Sequence, residues 1–416
     1  MEEEESIPVI ILDPGSWKIK IGFAKDDFPN DEIPCVYIEK ISDKSKDIKF
    51  GIEAVEDYMK IRYNHTKSHM IKENDFGHKE GMSNLVNVKM TFADPRHPLS
   101  NNNFNDVLEI YNYLINKLNI NTDKYNILIV IPERVEKLFL SNILRWAFKI
   151  HHFLSISFIY NSLAATYYYG IKTALVVDIG ESGSRVTPVA ENHGVFFDFI
   201  KNNEISGYLI SKYISNFVKI DESYIDYILI QDYKEMNSYV SLDVDKNIKM
   251  YSECNGLMKP YKIPYTNIYI DPKSEILSHE IFFQPEFLAH MPGNFFKQNI
   301  ISLSQLIFEA VSSCPIDLRK QFFDNIILIG GVSNCINFSQ RLKKELLHIL
   351  KEKNYSENTN INIKKLTMSH ISSYLGGTKY SKILYHNKNK WVTSHEYHAS
   401  NKNQIIQKLL MWANIL

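Results

Sequence analysis

Cysteine is scarce in this chain. The four in 416 residues, Cys35, Cys254, Cys314 and Cys335, stand far apart with no C-x-x-C pair. That disfavours a zinc site or a disulfide framework and suits a reducing compartment. No apolar run approaches the roughly 18 residues of a membrane span. The N-terminus, "MEEEESIP", lacks the basic-then-apolar order of a signal peptide. Neither sign of charge is in excess, and a formal net charge of −1 gives no global pull towards nucleic acid or anionic lipid. Glycine and alanine are thin against heavy use of Asn, Lys, Ile and Tyr, which reads as base-composition bias rather than function. These absences point to a cytosolic or nuclear globular protein. At 44% apolar residues it has the material for real cores, and its length makes two lobes the natural expectation.

What is present is organised around two turns. "VIILDPGSWKIKIGFA" predicts a strand, a turn at Asp13-Pro14-Gly15-Ser16, and a second strand in which Ile19, Ile21 and Phe23 alternate with Lys18, Lys20 and Gly22. Residues 39–49 and 60–90 are polar and read as loop-rich. From Phe104 the period becomes helical, through Val107, Leu108, Tyr111, Leu114, Ile115 and Leu118. Strands are predicted at "NILIVIPE" and "SISFIY", with helices at 134–150 and at "NSLAATYYYG", the latter stopped by Gly170. The pattern then restarts: "TALVVDIG" is again a strand ending in an Asp-x-Gly turn. Further strands follow, then a helix near 300–313, the strand "NIILIGG", a helix at 337–350, a strand near 361–366, and a helix after Gly376-Gly377. A duplicated α/β fold with a ligand cleft between the copies accounts for this order.

Gly180-Glu181-Ser182-Gly183-Ser184 nearly spells the serine-hydrolase G-x-S-x-G. A nucleophile elbow needs strand–turn–helix. Here Pro188 and a non-helical pattern follow, so Ser182 is not read as a nucleophile. Two facing turns with carboxylates at strand ends can instead clamp a polyphosphate. Their N–H groups and hydroxyls take phosphate oxygens, and Asp13 and Asp178 hold Mg²⁺ through its waters.

At these residues the chain resembles actin and the actin-related proteins. "LDPGSWKIKIGFAKDDFPNDEIP" (12–34) is similar to that family's first phosphate loop, and "VVDIG" to its second. "IFFQPEFL", "DLRKQFFDNIILIGG", and "SSYLGGTKYSKI" with Trp391 extend the likeness along nearly the whole chain. The resemblance implies a duplicated ribonuclease-H-like fold, shared with heat-shock ATPases and hexokinase, with ATP or ADP and Mg²⁺ in the cleft. It divides the chain into a first lobe at 1–168 (outer part about 36–95), a second at 169–371 (outer part about 206–298), and a segment 372–416 returning to the first. Asp13, Gly15, Ser16 and Lys20 fall on the phosphate side, with Asp178, Gly180, Glu181 and Ser182 opposite. Lys234 and Glu235 fall beside adenine and ribose, and Gly330 and Gly331 along the nucleotide. His370, where the family has a lysine, reads as a surface histidine.

Several positions depart from the family. Trp17 and Ser182 replace loop glycines, Asn161 replaces the water-ordering glutamine, and Arg185 replaces a histidine. Asn is one methylene shorter than Gln, and Arg cannot accept a hydrogen bond. Binding is expected to survive these changes and efficient hydrolysis is not, leaving at most a weak ATPase. D-P-G-S and V-V-D-I-G look most like the nuclear member found in chromatin-remodelling and histone-acetylating complexes. A scaffold subunit among other protein subunits, actin among them, is therefore expected, with no sequence-specific nucleic-acid contact. A cytoskeletal filament protein is the first alternative. A phosphotransferase is the second, disfavoured by the G-F-A-x-D-D-x-P run. The tail, apolar at Ile405, Ile406, Leu409, Leu410, Trp412, Ala413, Ile415 and Leu416, is a docking helix for its own body or another chain.

Overall fold

The duplication is visible in the strand connections of the computed structural model, which describes residues 7–42, 45–67, 84–90, 104–219, 227–253, 259–264, 268–290, 300–355 and 359–414. Strand β1 (Val9–Pro14) turns into antiparallel β2 (Lys18–Phe23) and β3 (Asp31–Pro34). The chain then builds an outer sheet from β4 (Val36–Ser42), β5 (Ser45–Phe50) and β6 (Asn84–Met90), in the order β5-β4-β6. Much of 39–49, read as loop, is therefore a hairpin, with a helix at Gly51–Lys67 behind it. Residues 68–83 lie outside the described residues.

Helix Phe104–Lys117 returns the chain to the first sheet, buried on its predicted face by Phe104, Val107, Tyr111, Leu114 and Ile115. Strand β7 (Asn126–Ile131) lies parallel to β1, and β8 (Ser155–Tyr160) parallel to β7. All six residues of each are buried, as expected of parallel strands covered on both faces. Helix Asn161–Tyr169 then crosses to the second copy and ends on Gly170 at φ 65°. There β9 (Ala174–Ile179), β10 (Ser184–Ala190), β11 (Gly194–Val195) and β12 (Lys201–Asn203) repeat the antiparallel opening. A small outer sheet of β13 (Val218–Lys219), β14 (Tyr261–Lys262) and β15 (Tyr269–Ile270) follows. Then β16 (Ile326–Ile329) joins β9 in parallel and β17 (Ile363–Lys365) joins β16. The last strand, β18 (Val392–Thr393), pairs with β8, so the chain closes on the first sheet.

Alternate residues of β9 serve two cores. Ala174 and Val176 pack with the first core, while Leu175, Val177 and Ile179 pack with the second, the period-2 division of a strand between two faces. Where the lobes meet, helix Asn161–Tyr169 packs against helix Ser372–His386. Gly376 and Gly377 lie inside that second helix, not before it. The low helix propensity of glycine suggests a boundary there, but the crossing demands one. A Cβ on Gly376 would sit 1.7 Å from the Ala164 carbonyl oxygen. Gly376→Ala is expected to cost about 3 kcal/mol or more by forcing the helices apart, read as a lowered denaturant midpoint. An unchanged midpoint would contradict the tight crossing.

Candidate functional site

Each central sheet presents a strand-to-strand turn to a common cleft of about 1010 Å³. Asp13, Gly15, Ser16 and Lys20 line it from the first lobe. Asp178, Gly180, Glu181 and Ser182 line it from the second, and Asn161 from the helix between them. Lys234, Glu235, Gly330, Gly331 and His370 complete the wall. Residues scattered over most of the chain thus reach one cavity.

The two turns touch. The Ser16 hydroxyl donates to the Ser182 hydroxyl at 3.0 Å across the cleft. Ser182 lies between β9 and β10 with no helix beneath it, so no nucleophile elbow forms. The backbone N–H groups of Ser16, Ser182 and Gly183 have no hydrogen-bond partner among the described residues and are available to an anion. Gly330 brings the strand end of β16 against the second turn. Its φ is 87°, and a Cβ there would meet the Ile179 carbonyl oxygen at 2.4 Å and Asp178 Oδ1 at 2.7 Å.

The sheet register sets the charges. Asp13 lies opposite Lys20 on the β1–β2 ladder, and Asp178 opposite Arg185 on the β9–β10 ladder. The first pair is closed: Lys20 Nζ is 3.2 Å from Asp13 Oδ2, and both residues are buried. Lys20, expected on the phosphate side, lines the cleft with its amine held by Asp13. The second pair is open. Asn161 Nδ2 donates to Asp178 Oδ2 at 2.8 Å, while Arg185 turns to Glu133, its Nη1 donating to Glu133 Oε2 at 2.9 Å. Burial pushes the Asp178 carboxyl up to about 6; Arg185 and Asn161 oppose this, while Glu133 and Asp13 reinforce it.

Glu133 has no sequence signal beyond following a strand and a proline. Its side chain is fully buried, and its second oxygen accepts the Ser162 N–H at 3.1 Å, capping the helix that starts at Asn161. Lys234 is also buried. Its Nζ donates to both Glu181 oxygens at 2.8 and 2.9 Å and to the Gly207 carbonyl at 2.9 Å, and burial lowers its basicity despite Glu181. It braces the second turn from behind. Trp17 is partly buried against the hydrophobic cluster that contains Val36 and Val177.

At the mouth a second set of charges spans the lobes. Lys18 Nζ lies 3.2 Å from Glu235 and 3.8 Å from Glu32, and His370 Nε2 lies 3.2 Å from Glu32. His370 also meets Asn334 Nδ2 at 3.0 Å, so it is a bridging rather than a free surface histidine. Burial alone would raise the Glu32 carboxyl, but His370, Lys20 and Lys18 hold it below its usual range. Cys335 lines the cleft with its thiol pushed by burial up to about 12, too weak an acid to supply a thiolate.

Among the described residues no group of three or more His, Cys, Asp or Glu side chains could hold a metal alone. No helix among them is long and apolar enough to cross a membrane.

Two copies of one sheet-and-helix unit, each offering an Asp-bearing turn to a shared cleft, define the class of two-lobed proteins with duplicated ribonuclease-H-like folds. The Actin family model matches residues 4–223 and 219–410, and the chain belongs to the actin family. It is similar to Actin-related protein 2 of Schizosaccharomyces pombe, 24% identical over 416 residues that cover 94% of this chain and 96% of that protein.

Proposed function

We propose that the cleft binds Mg-ATP and that the chain serves as an actin-related subunit of a multiprotein assembly, with nucleotide as a structural ligand. The observation that carries this reading is the pair of facing turns, bridged by Ser16 and Ser182 at 3.0 Å and furnished with unpartnered N–H groups. A phosphate chain fits such a cradle because its charge meets oriented N–H dipoles and hydroxyls. The donor set also fits magnesium. Two carboxylates without a complete protein cage suit a hard cation that keeps waters and takes phosphate oxygens. Asp13 and Asp178 would hold it through water, and the bound ion would neutralise phosphate charge.

Turnover is disfavoured by the commitments of two side chains. Asn161 is engaged with Asp178, and Arg185 with Glu133. Arg185 has no acceptor, and the Asn161 oxygen sits on a short side chain already turned to Asp178 by its Nδ2, so neither position orients water well; such positioning is most of the catalysis available to phosphoryl transfer. The actin-related match at closely similar length supports a subunit role. The nuclear, chromatin-remodelling form of that role, expected from D-P-G-S and V-V-D-I-G, gains no support from the comparisons, and a cytoskeletal assembly is the reading taken.

Titration with Mg-ATP should give saturable, one-to-one binding, and sedimentation with Mg-ATP and salt should leave the protein in the supernatant. Absence of binding would remove the first half of the proposal, and a salt-induced filament pellet the second. The charges at the mouth add a kinetic expectation. Glu235→Gln combined with His370→Gln should speed release of a fluorescent ATP analogue several-fold while changing affinity little. The pairs are partly exposed and each contributes less than about 1 kcal/mol. An unchanged release rate would mean the mouth is not latched.

A further inference from the structure

The two halves of the duplication treat one charge pair differently. In each, an aspartate at the end of the first strand lies opposite a cation on the second: Asp13 opposite Lys20, Asp178 opposite Arg185. Residues directly opposite on an antiparallel ladder share a face, with Cβ atoms about 4.5–5.5 Å apart. Lys20 closes on its aspartate. Arg185 does not, because it is held on two other sides. Nη1 donates to Glu133 Oε2 at 2.9 Å, and Nε to Asn202 Oδ1 at 3.1 Å.

Glu133 cannot swing away, since it is fully buried and its other oxygen holds the Ser162 N–H. The guanidinium is therefore fixed, yet not saturated. Of its five donors two are used, and Nη2 has no partner among the described residues. Because the Ser162 N–H takes the other Glu133 oxygen, a single Nη serves the carboxylate and the second Nη is left over. About a quarter of the side chain stays exposed, on the cleft wall.

A phosphate chain cradled by the turns can run one way towards the mouth, walled by Glu235 and His370, or the other way towards Asn161 and Arg185. The mouth carries the carboxylates of Glu32 and Glu235, which repel a terminal phosphate, whereas the other end offers the unsaturated Arg185 guanidinium, so the terminal phosphate belongs at the Arg185 end. Resting on the reading of the cleft as a Mg-nucleotide site, we propose that Arg185 is its specificity-determining residue, contacting the terminal phosphate and making the site prefer a nucleoside triphosphate to the diphosphate. Glu133 is its positioning residue.

Calorimetric titration of wild type, Arg185→Ala, Arg185→Lys and Glu133→Gln with Mg-ATP and Mg-ADP tests this. Wild type should bind ATP more tightly than ADP. Arg185→Ala should lose roughly ten- to a hundredfold for ATP, the range of one charge-assisted hydrogen bond, with ADP affinity within about twofold by the same reasoning. Arg185→Lys should recover part of the loss. Glu133→Gln leaves one acceptor for the two donors Glu133 holds, the Ser162 N–H and Arg185 Nη1, so it should loosen the guanidinium and narrow the ATP-over-ADP preference, which also serves if Arg185→Ala does not fold. Wild type that binds both nucleotides equally, or equal losses for ATP and ADP in both Arg185→Lys and Glu133→Gln, would overturn the assignment alone. Wild type that binds neither would overturn the nucleotide reading beneath it.

Discussion

Asp178→Asn is expected to leave the protein folded, to raise its melting temperature slightly without metal, and to weaken Mg-ATP binding by roughly ten- to a hundredfold, the usual cost of losing an outer-shell metal partner. The opposite signs follow from one property. Burial lifts the Asp178 carboxyl from 3.8 to about 6, against Arg185 and Asn161 and with the help of Glu133 and Asp13. A raised native value contributes stability below the unfolded value, and that contribution is lost as pH rises through about 6. At neutral pH the metal-free protein therefore carries an unfavourable buried charge. Water reaching the carboxyl from the cleft screens it, so the cost is on the order of 1 kcal/mol rather than the full shift. Asn keeps the shape and removes the charge. The metal-free variant should accordingly lose the part of its stability that varies between about pH 4 and 6. Mg-ATP affinity of the wild type should fall as pH drops below about 6, since the protonated carboxyl holds no cation. Thermal melts at pH 5 and 7 with Mg-ATP titrations check all three. A variant that is destabilised without metal and binds Mg-ATP normally would show that Asp178 is structural.

Removing residues 402–416 is expected to lower the melting temperature by roughly 5–10 °C. The tail forms helix Lys402–Ala413, which buries Ile405, Ile406, Leu409 and Ala413 against the first core. Full burial of the three large side chains is worth about 1.5–3 kcal/mol each, offset in part by the entropy of ordering the helix. Its end is pinned where Val195 N–H donates to Asn414 Oδ1 at 2.7 Å. Because 5–15 kcal/mol is a typical total stability, such a loss is large. Met411→Ser is the control: Met411 is 60% exposed on the far face and should change little. Equal melting temperatures for truncated and full-length protein would show that the helix does not stabilise its own body.

The sequence was most readable where local pattern and tertiary demand agree. An apolar run ending in Asp-x-Gly can be a buried strand feeding a turn, and its recurrence at Asp178 disclosed both the duplication and the two sides of the cleft. Even the spacing that later pairs Asp13 with Lys20 and Asp178 with Arg185 is present in the two motifs. What those cations do is not local. Lys20 is buried by Asp13, whereas Arg185 is drawn off by Glu133, a residue 52 positions away whose role depends on which helix start it meets. Gly376 was misplaced for the converse reason: its propensity argues against a helix, and only the Ala164 carbonyl across the lobe junction explains its presence in one. The strands within 39–49 hid behind a polar composition suited to a small exposed outer sheet, and His370 behind a partner, Glu32, 338 positions away.

The central claim is that Mg-ATP sits between the two turns. Hydrogen–deuterium exchange with and without Mg-ATP tests it most directly, because the claim is about which N–H groups the ligand covers. Protection is predicted at residues 14–18 and 179–184 together, and at 330–336 beside them, with the remaining surface of both lobes little changed. Protection of only one turn, of residues outside the cleft, or of none at saturating Mg-ATP would contradict it.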